Sequence, residues 1–229
     1  MTTPIRAALC LAILFGGIAC TPALAAPAQA SGQFGSERAS KAARSVAGSV
    51  VAKRNNEGLP FVIVDKVQAK VFVFHQDGRL RGASPVLVGS AIGDDSAPGI
   101  GQRSLADIRP EERTTPAGRF VASLGNDLGE KDVVWVDYEA AISLHRMVTG
   151  NARERRARRM ATVSPGDNRI SFGCINVPAK FYDTVVQPAF TGTNGIVYIL
   201  PEVRSIESVF AFAEQGRKAR GHSAGQNPP

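Results

Sequence analysis

Cysteine is scarce in this chain: Cys10, Cys20 and Cys174 are all that 229 residues contain. Histidine is as rare, with only His75, His145 and His222. Neither type recurs at the close spacing that a zinc centre requires, so no metal and no cofactor are expected. The one long apolar run, residues 7–19, is too short to span a bilayer comfortably. No segment repeats at a fixed period, which excludes solenoid and propeller architectures. The arginine-rich stretch at 151–160 has no aromatic residues interleaved with it. It therefore lacks the stacking platforms that accompany single-stranded nucleic-acid binding, and no nucleic-acid partner is expected.

What is present is ordinary in bulk. The chain is 44% apolar and 21% charged, with 23 glycines and 14 prolines, a balance that suits one turn-rich domain with extra segments at its ends. The net charge of +7 fits an anionic partner of several kinds, and equally a solvated surface. At the N-terminus, Arg6 precedes the apolar run, and Ala23-Leu24-Ala25 has the small-x-small pattern cut by signal peptidase. Residues 1–25 read as a signal peptide, which implies export to the periplasm and contact with the membrane through that segment alone. Cys20 raises a lipoprotein alternative, although Gly17 stands where a lipobox has leucine. Cleavage after Ala25 leaves Cys174 as the single thiol. It has no disulfide partner within the chain, and in an oxidising compartment such a thiol is expected to be buried or used.

Residues 26–58 divide into a flexible leader and an amphipathic helix. Ala39, Ala42, Ala43, Val46, Ala47, Val50 and Val51 recur at helical spacing within 37–53. Residues 59–203 form the main domain. Its strands are read at 61–64, 70–74, 79–88, 119–124, 133–138, 141–145 and 196–200, where β-branched and aromatic residues concentrate. Asp77-Gly78 is a hairpin signal. A short helix is expected over 178–186, and residues 204–229 read as a helix remnant followed by a disordered basic tail containing His222. The fold class is mainly β with short helices. Residues 91–113 form a long loop without apolar periodicity, of the kind that carries function. Asp94 and Asp95 within it are read as turn residues, and Trp135 as core.

The chemistry concentrates at Ser171-Phe172-Gly173-Cys174-Ile175-Asn176. Gly173 lets the chain turn tightly before the thiol. Asn176 and Pro178 suit the start of a helix, whose N-terminus would favour the thiolate, and the backbone N–H groups there are placed to hold an oxyanion. A thiol nucleophile needs a base. His75 lies beside a hairpin turn and is expected to be exposed, whereas His145 ends a strand, where its imidazole can be aimed at Cys174.

Thr115-Pro116-Ala117-Gly118-Arg119-Phe120, followed by His145 and then by Ser171-x-Gly173-Cys174-x-Asn176, resembles the L,D-transpeptidase (YkuD) catalytic domain family over residues 60–201. That family carries a TPxGxF segment, a histidine, and a Ser/Thr-His-Gly-Cys-x-Arg/Asn motif. The resemblance implies a YkuD-type β-sandwich and peptidoglycan stem peptides as substrate. Cys174 would attack the carbonyl of the third stem residue, often meso-diaminopimelate, and expel the terminal D-alanine. The thioester would then pass to an acceptor amine, on diaminopimelate or on a first-position L-alanine. His145 would be the base, with its ring oriented by the Arg146 carbonyl. Gly173 and Cys174 would supply the oxyanion hole. Ser171, Phe172, Asn176 and the Tyr138 hydroxyl complete the expected surroundings.

Two departures stand out. Phe172 replaces the motif histidine, so a hydrogen-bonding ring becomes an apolar one. The segment between His145 and Ser171 is longer than the family's and carries Arg153, Arg155, Arg156, Arg158 and Arg159. As a helix, this insert reads either as a solvated face, with Glu154 paired to Arg158, or as a cap over the cleft with Phe172 lining the path. Alternative functions are an L,D-carboxypeptidase or amidase of the same family, and a non-catalytic wall-binding module. The sequence leaves the oligomeric state open.

Overall fold

The computed structural model describes residues 34–129 and 131–213. The signal-peptide segment, Cys10, Cys20, most of the leader and the tail with His222 lie outside the described residues. Within them no helix is long and apolar enough to cross a membrane.

The fold is β-dominated, with short helices. One sheet of eight strands runs in the order β3 (Leu80–Pro85), β2 (Lys70–Phe74), β1 (Phe61–Asp65), β10 (Gly195–Ile199), β5 (Gly118–Asn126), β6 (Asp132–Asp137), β7 (Ile142–Arg146), β9 (Ile175–Val177). β1 and β10 are parallel, as are β7 and β9; the other neighbours are antiparallel. A second, two-stranded parallel sheet pairs β4 (Val88–Gly89) with β8 (Arg169–Ser171). It joins β9 through reciprocal backbone bonds between Leu87 and Asn176. The single strand expected over 79–88 is thus two, interrupted at Val86 and Leu87, so that its second half belongs to the other sheet.

Alternation along the strands sorts side chains to two faces. Val62, Val64, Val71, Val73, Val197 and Ile199 enter one core. Opposite them in that core lie Val86, Val88, Leu144, Ile175 and Val177. The intervening residues Phe61, Ile63, Phe72, Phe74, Ile196 and Tyr198 enter a second core, covered by α1 (Lys41–Ala52) and by Phe210. α1 is the helix expected from the 37–53 periodicity. It begins where Ser40 Oγ accepts the Ala43 N–H at 3.0 Å, and it buries Ala43, Val46, Ala47 and Val50. The helix expected at 178–186 is a composite of α3 (Ala179–Phe181), a π segment (Tyr182–Val186) and α4 (Gln187–Phe190), and it buries Tyr182, Val186 and Phe190 against the first core. Trp135 belongs to neither core: it is half-buried on the outward face of β6, its ring edge-on to Tyr138.

Two segments dock onto this frame near β9. The long loop folds into three single 3-10 turns, Ile100–Gln102, Leu105–Asp107 and Pro110–Glu112. The insert forms a 3-10 turn at Ala152–Glu154, α2 (Arg156–Ala161) and another 3-10 turn at Pro165–Asn168. Asp94 is far more than a turn residue. Its buried carboxylate meets Lys66 Nζ at 2.8 Å and accepts the backbone N–H groups of Glu202, Val203 and Arg204. Lys66, 1% exposed, also donates to the carbonyls of Gly93 and Thr115.

Candidate active site

β7 carries alternating side chains: Ile142 and Leu144 enter the core, while Ser143 and His145 face the other way. β9 runs parallel beside it, with Leu144 opposite Ile175 and His145 opposite Asn176. The turn that leads into β9 therefore sets Cys174 against Ser143 and His145. Ser143 Oγ lies 3.7 Å from Cys174 Sγ, and Sγ lies 3.6 Å from the Ala141 carbonyl oxygen. The imidazole of His145 lies near enough to the thiol to lower its pKa. Cys174 itself is half-buried.

The ring of His145 is oriented by its own strand. Nδ1 lies 2.7 Å from the Arg146 carbonyl oxygen, which can only accept, so Nδ1 carries the proton and Nε2 presents a lone pair. Burial disfavours the charged imidazolium, but the hydrogen bond and charge of Cys174 and the Arg146 carbonyl outweigh it and raise the pKa of His145. Burial likewise pushes the Cys174 thiol up; His145 first, then Ser143, more than offset this and bring it below the ordinary thiol range.

The turn is held by Ser171 and Thr115. Ser171 Oγ donates to the Cys174 carbonyl at 2.6 Å and accepts the Gly173 N–H at 3.1 Å. The Gly173 N–H expected for an oxyanion is thus engaged by a side chain. Thr115 Oγ1 donates to the Gly173 carbonyl at 2.7 Å and accepts the Gly89 N–H at 2.8 Å. Gly173 adopts φ +134°, a left-handed conformation, and a Cβ there would lie 2.7 Å from the Thr114 carbonyl oxygen.

Several expectations change at this point. Asn176 caps no helix: it is 1% exposed within β9, and α3 begins only after Pro178. No helix N-terminus therefore abuts the thiol, and its acidity comes from His145 and from the backbone and hydroxyl of Ser143. Asn176 Nδ2 points instead to the Cys174 carbonyl at 3.2 Å and to His145 Nε2 at 3.4 Å. Phe172 is half-buried, and the Arg113 guanidinium lies 4.1 Å from its ring centroid; this cation–π contact docks the long loop on the motif. The Arg146 side chain is engaged elsewhere, with Asp132 and Asp183 and over the Tyr182 ring. Tyr138 is 78% exposed against Trp135, bonded neither to Cys174 nor to His145. His75 is half-buried at the end of β2, remote from β7 and β9 in the strand order. Glu154 pairs with Arg156 rather than with Arg158. Ser143 went unread in the sequence, although its place two residues before His145 on one strand face was the signal. Thr115 was read only as part of a motif, and Lys66 not at all. Among the described residues no group of acidic, cysteine or histidine side chains is arranged to hold a metal.

No family model matches the chain, and no curated protein does. The solved structures to which it is similar include L,D-transpeptidases and a cell-shape protein. The K307A mutant of Pgp2, a helical cell shape determining protein from Campylobacter jejuni, matches with 13% identity and a TM-score of 0.42, over 68% of this chain and 52% of that one. An L,D-transpeptidase from Xylanimonas cellulosilytica matches with 14% identity and a TM-score of 0.38, over 62% and 60%. The catalytic domain of the Enterococcus faecium L,D-transpeptidase matches with 16% identity and a TM-score of 0.35, over 62% and 96%. The match thus spans about half the length of the Pgp2 chain.

Proposed function

We propose that this chain is an exported cysteine acyltransferase, a peptidoglycan L,D-transpeptidase acting in the periplasm. The observation that carries the reading is the His145 ring, which donates Nδ1–H to the Arg146 carbonyl at 2.7 Å, so that Nε2 is left to accept, and which lowers the pKa of the Cys174 thiol. In the reaction, Nε2 takes the thiol proton and sulfur bonds to the carbonyl carbon of the third stem residue. The tetrahedral oxyanion falls to the Cys174 N–H, since that of Gly173 is held by Ser171. Collapse breaks the bond to the terminal D-alanine, whose nitrogen receives the proton from His145. An acceptor amine from a second stem then attacks the thioester, gives its proton to His145, and releases the sulfur. With water in place of the amine the same steps give an L,D-carboxypeptidase.

The test is mass spectrometry of muropeptides incubated with the purified protein. New cross-links are expected with the wild-type chain and none with Cys174→Ala. Product from the alanine variant would end the cysteine mechanism. Trimmed stems without cross-links would assign hydrolysis in place of transfer.

A further inference from the structure

The insert between β7 and β9 reaches back into the site through one side chain. Arg156 opens α2, and its side chain is only 13% exposed. Its Nε is held by the Glu154 carboxylate, and its Nη1 donates to Asn176 Oδ1 at 2.7 Å. A guanidinium has no acceptor, so this contact decides which end of the Asn176 amide is oxygen. The Nδ2 end must then face the other way, where it meets His145 Nε2 at 3.4 Å and the Cys174 carbonyl at 3.2 Å. Nε2 is the nitrogen of that ring left to accept, because Nδ1–H is committed to the Arg146 carbonyl. The amide thus presents an N–H to a lone pair. Were Nε2 protonated, the same amide would present an N–H to an N–H.

We propose that Arg156 is a positioning residue of the site: acting through Asn176, it holds a donor against His145 Nε2, favours the unprotonated form of that nitrogen, and couples the insert to the proton transfer. The proposal rests on reading Cys174 and His145 as nucleophile and base. The charge of Arg156 acts in the same direction, since it opposes the rise in the pKa of His145. The other groups around the ring are accounted for. Cys174 raises the same pKa, and the Arg146 carbonyl does so too. The Arg146 guanidinium is tied to Asp132 and Asp183, and Glu154 is tied to Arg156 itself. Ser143 and Asn176 are neutral. A residue from the insert thus opposes the tendency of sulfur and imidazole to ionise together, without reversing it.

The experiment is an NMR titration of the His145 imidazole in the full chain, with thermal melting as a check on folding. Arg156→Met should raise the titration midpoint by about half a unit or more, roughly a threefold change in the acid constant. Arg156→Lys restores a charge and a donor, and should return the midpoint most of the way. A residue that merely stapled the insert would lower the melting temperature and leave the midpoint in place. An unchanged or lowered midpoint in a folded Arg156→Met protein would overturn the proposal. Should that variant not fold, Asn176→Ala serves instead: it removes the N–H offered to Nε2 without adding a charge, so the midpoint should rise with Arg156 intact, and an unchanged value would likewise overturn the proposal. The titration uses no muropeptide. Lack of turnover in the wild-type chain would count against the peptidoglycan reading and leave the role of Arg156 standing.

Discussion

At Gly173 the backbone at φ +134° leaves no room for a side chain: a Cβ would meet both the Thr114 carbonyl and Ile142 Cδ1, the latter at 2.8 Å. Gly173→Ala should therefore displace the residue that follows it. The expected result is a loss of stability of about 1–3 kcal/mol by denaturant unfolding, with a larger proportional loss of Cys174 reactivity. The thiol depends on two neighbours from one strand face. His145 contributes most to lowering its pKa, and Ser143 contributes next. His145→Gln should slow acylation by at least about a hundredfold, the scale on which a general base matters. It should also move the acid limb of Cys174 alkylation to higher pH. The sign follows from the balance in the wild type: His145 and Ser143 together hold the pKa below the ordinary thiol value against burial, and loss of the ring removes the larger share of that opposition. Ser143→Ala should shift the limb in the same direction by less. An unmoved limb in His145→Gln, measured with iodoacetamide across the pH range, would contradict the geometry described.

Among the elements, the loop that ends at Thr115 is the support on which the turn carrying Cys174 rests. Thr115 Oγ1 joins Gly89 of β4 to Gly173 in the turn before β9, and the Thr115 carbonyl accepts from Lys66. Thr115→Val removes the hydroxyl at nearly constant volume and leaves a buried N–H and a buried carbonyl without it. A stability loss of about 1–3 kcal/mol is expected, accompanied by slower acylation. Comparison of unfolding curves with acylation rates checks whether the turn loosens before the fold does. How far such features can be read beforehand depends on their range. The concentration of β-branched and aromatic residues at 61–64 and 70–74 is local, and those strands lie where it puts them. The pairing of Ser143 with His145 is local too, as a period of two on one strand. The role of Asn176 is not: a Pro two residues later reads as a helix start, but tertiary pairing with His145 and Leu87 extends the strand through it. Lys66 sits in a polar turn and looks solvated until residues 93–94, 115 and 202 close around it. Contacts at such separations leave no periodic trace in a single sequence.

For the molecule as a whole, that same closure sets the response to acid. Burial raises the pKa of Asp94, but Lys66 and the three backbone N–H groups of residues 202–204 more than reverse this and hold the carboxyl well below its usual range. A carboxylate depressed in the folded state stabilises the protein above the unfolded pKa, about 3.9, and that contribution is lost as the pH falls through the folded value. Stability should therefore fall progressively below about pH 4 in the wild type. Lys66→Met removes the buried cation of Asp94, although Arg169 still pairs with Glu202 and Arg204 still lies near Asp94, and should cost about 3–5 kcal/mol near neutrality. It should also flatten the acid slope, since Asp94 would then lose much of its depression. Unfolding free energy measured from pH 2 to 7 in both proteins tests the sign. A further consequence lies in the direction of β7 and β9. Strands running the same way cannot be joined by a tight hairpin; the chain must leave one end, travel outside the sheet, and re-enter at the other. A detour between His145 and Cys174 is thus a topological necessity, whatever residues fill it. Its minimum length is dictated by the crossing, whereas its maximum is left free. Variation in that excursion can accumulate without altering the distance between thiol and imidazole, so the excursion is the place where such a scaffold can diversify while its chemistry stays fixed.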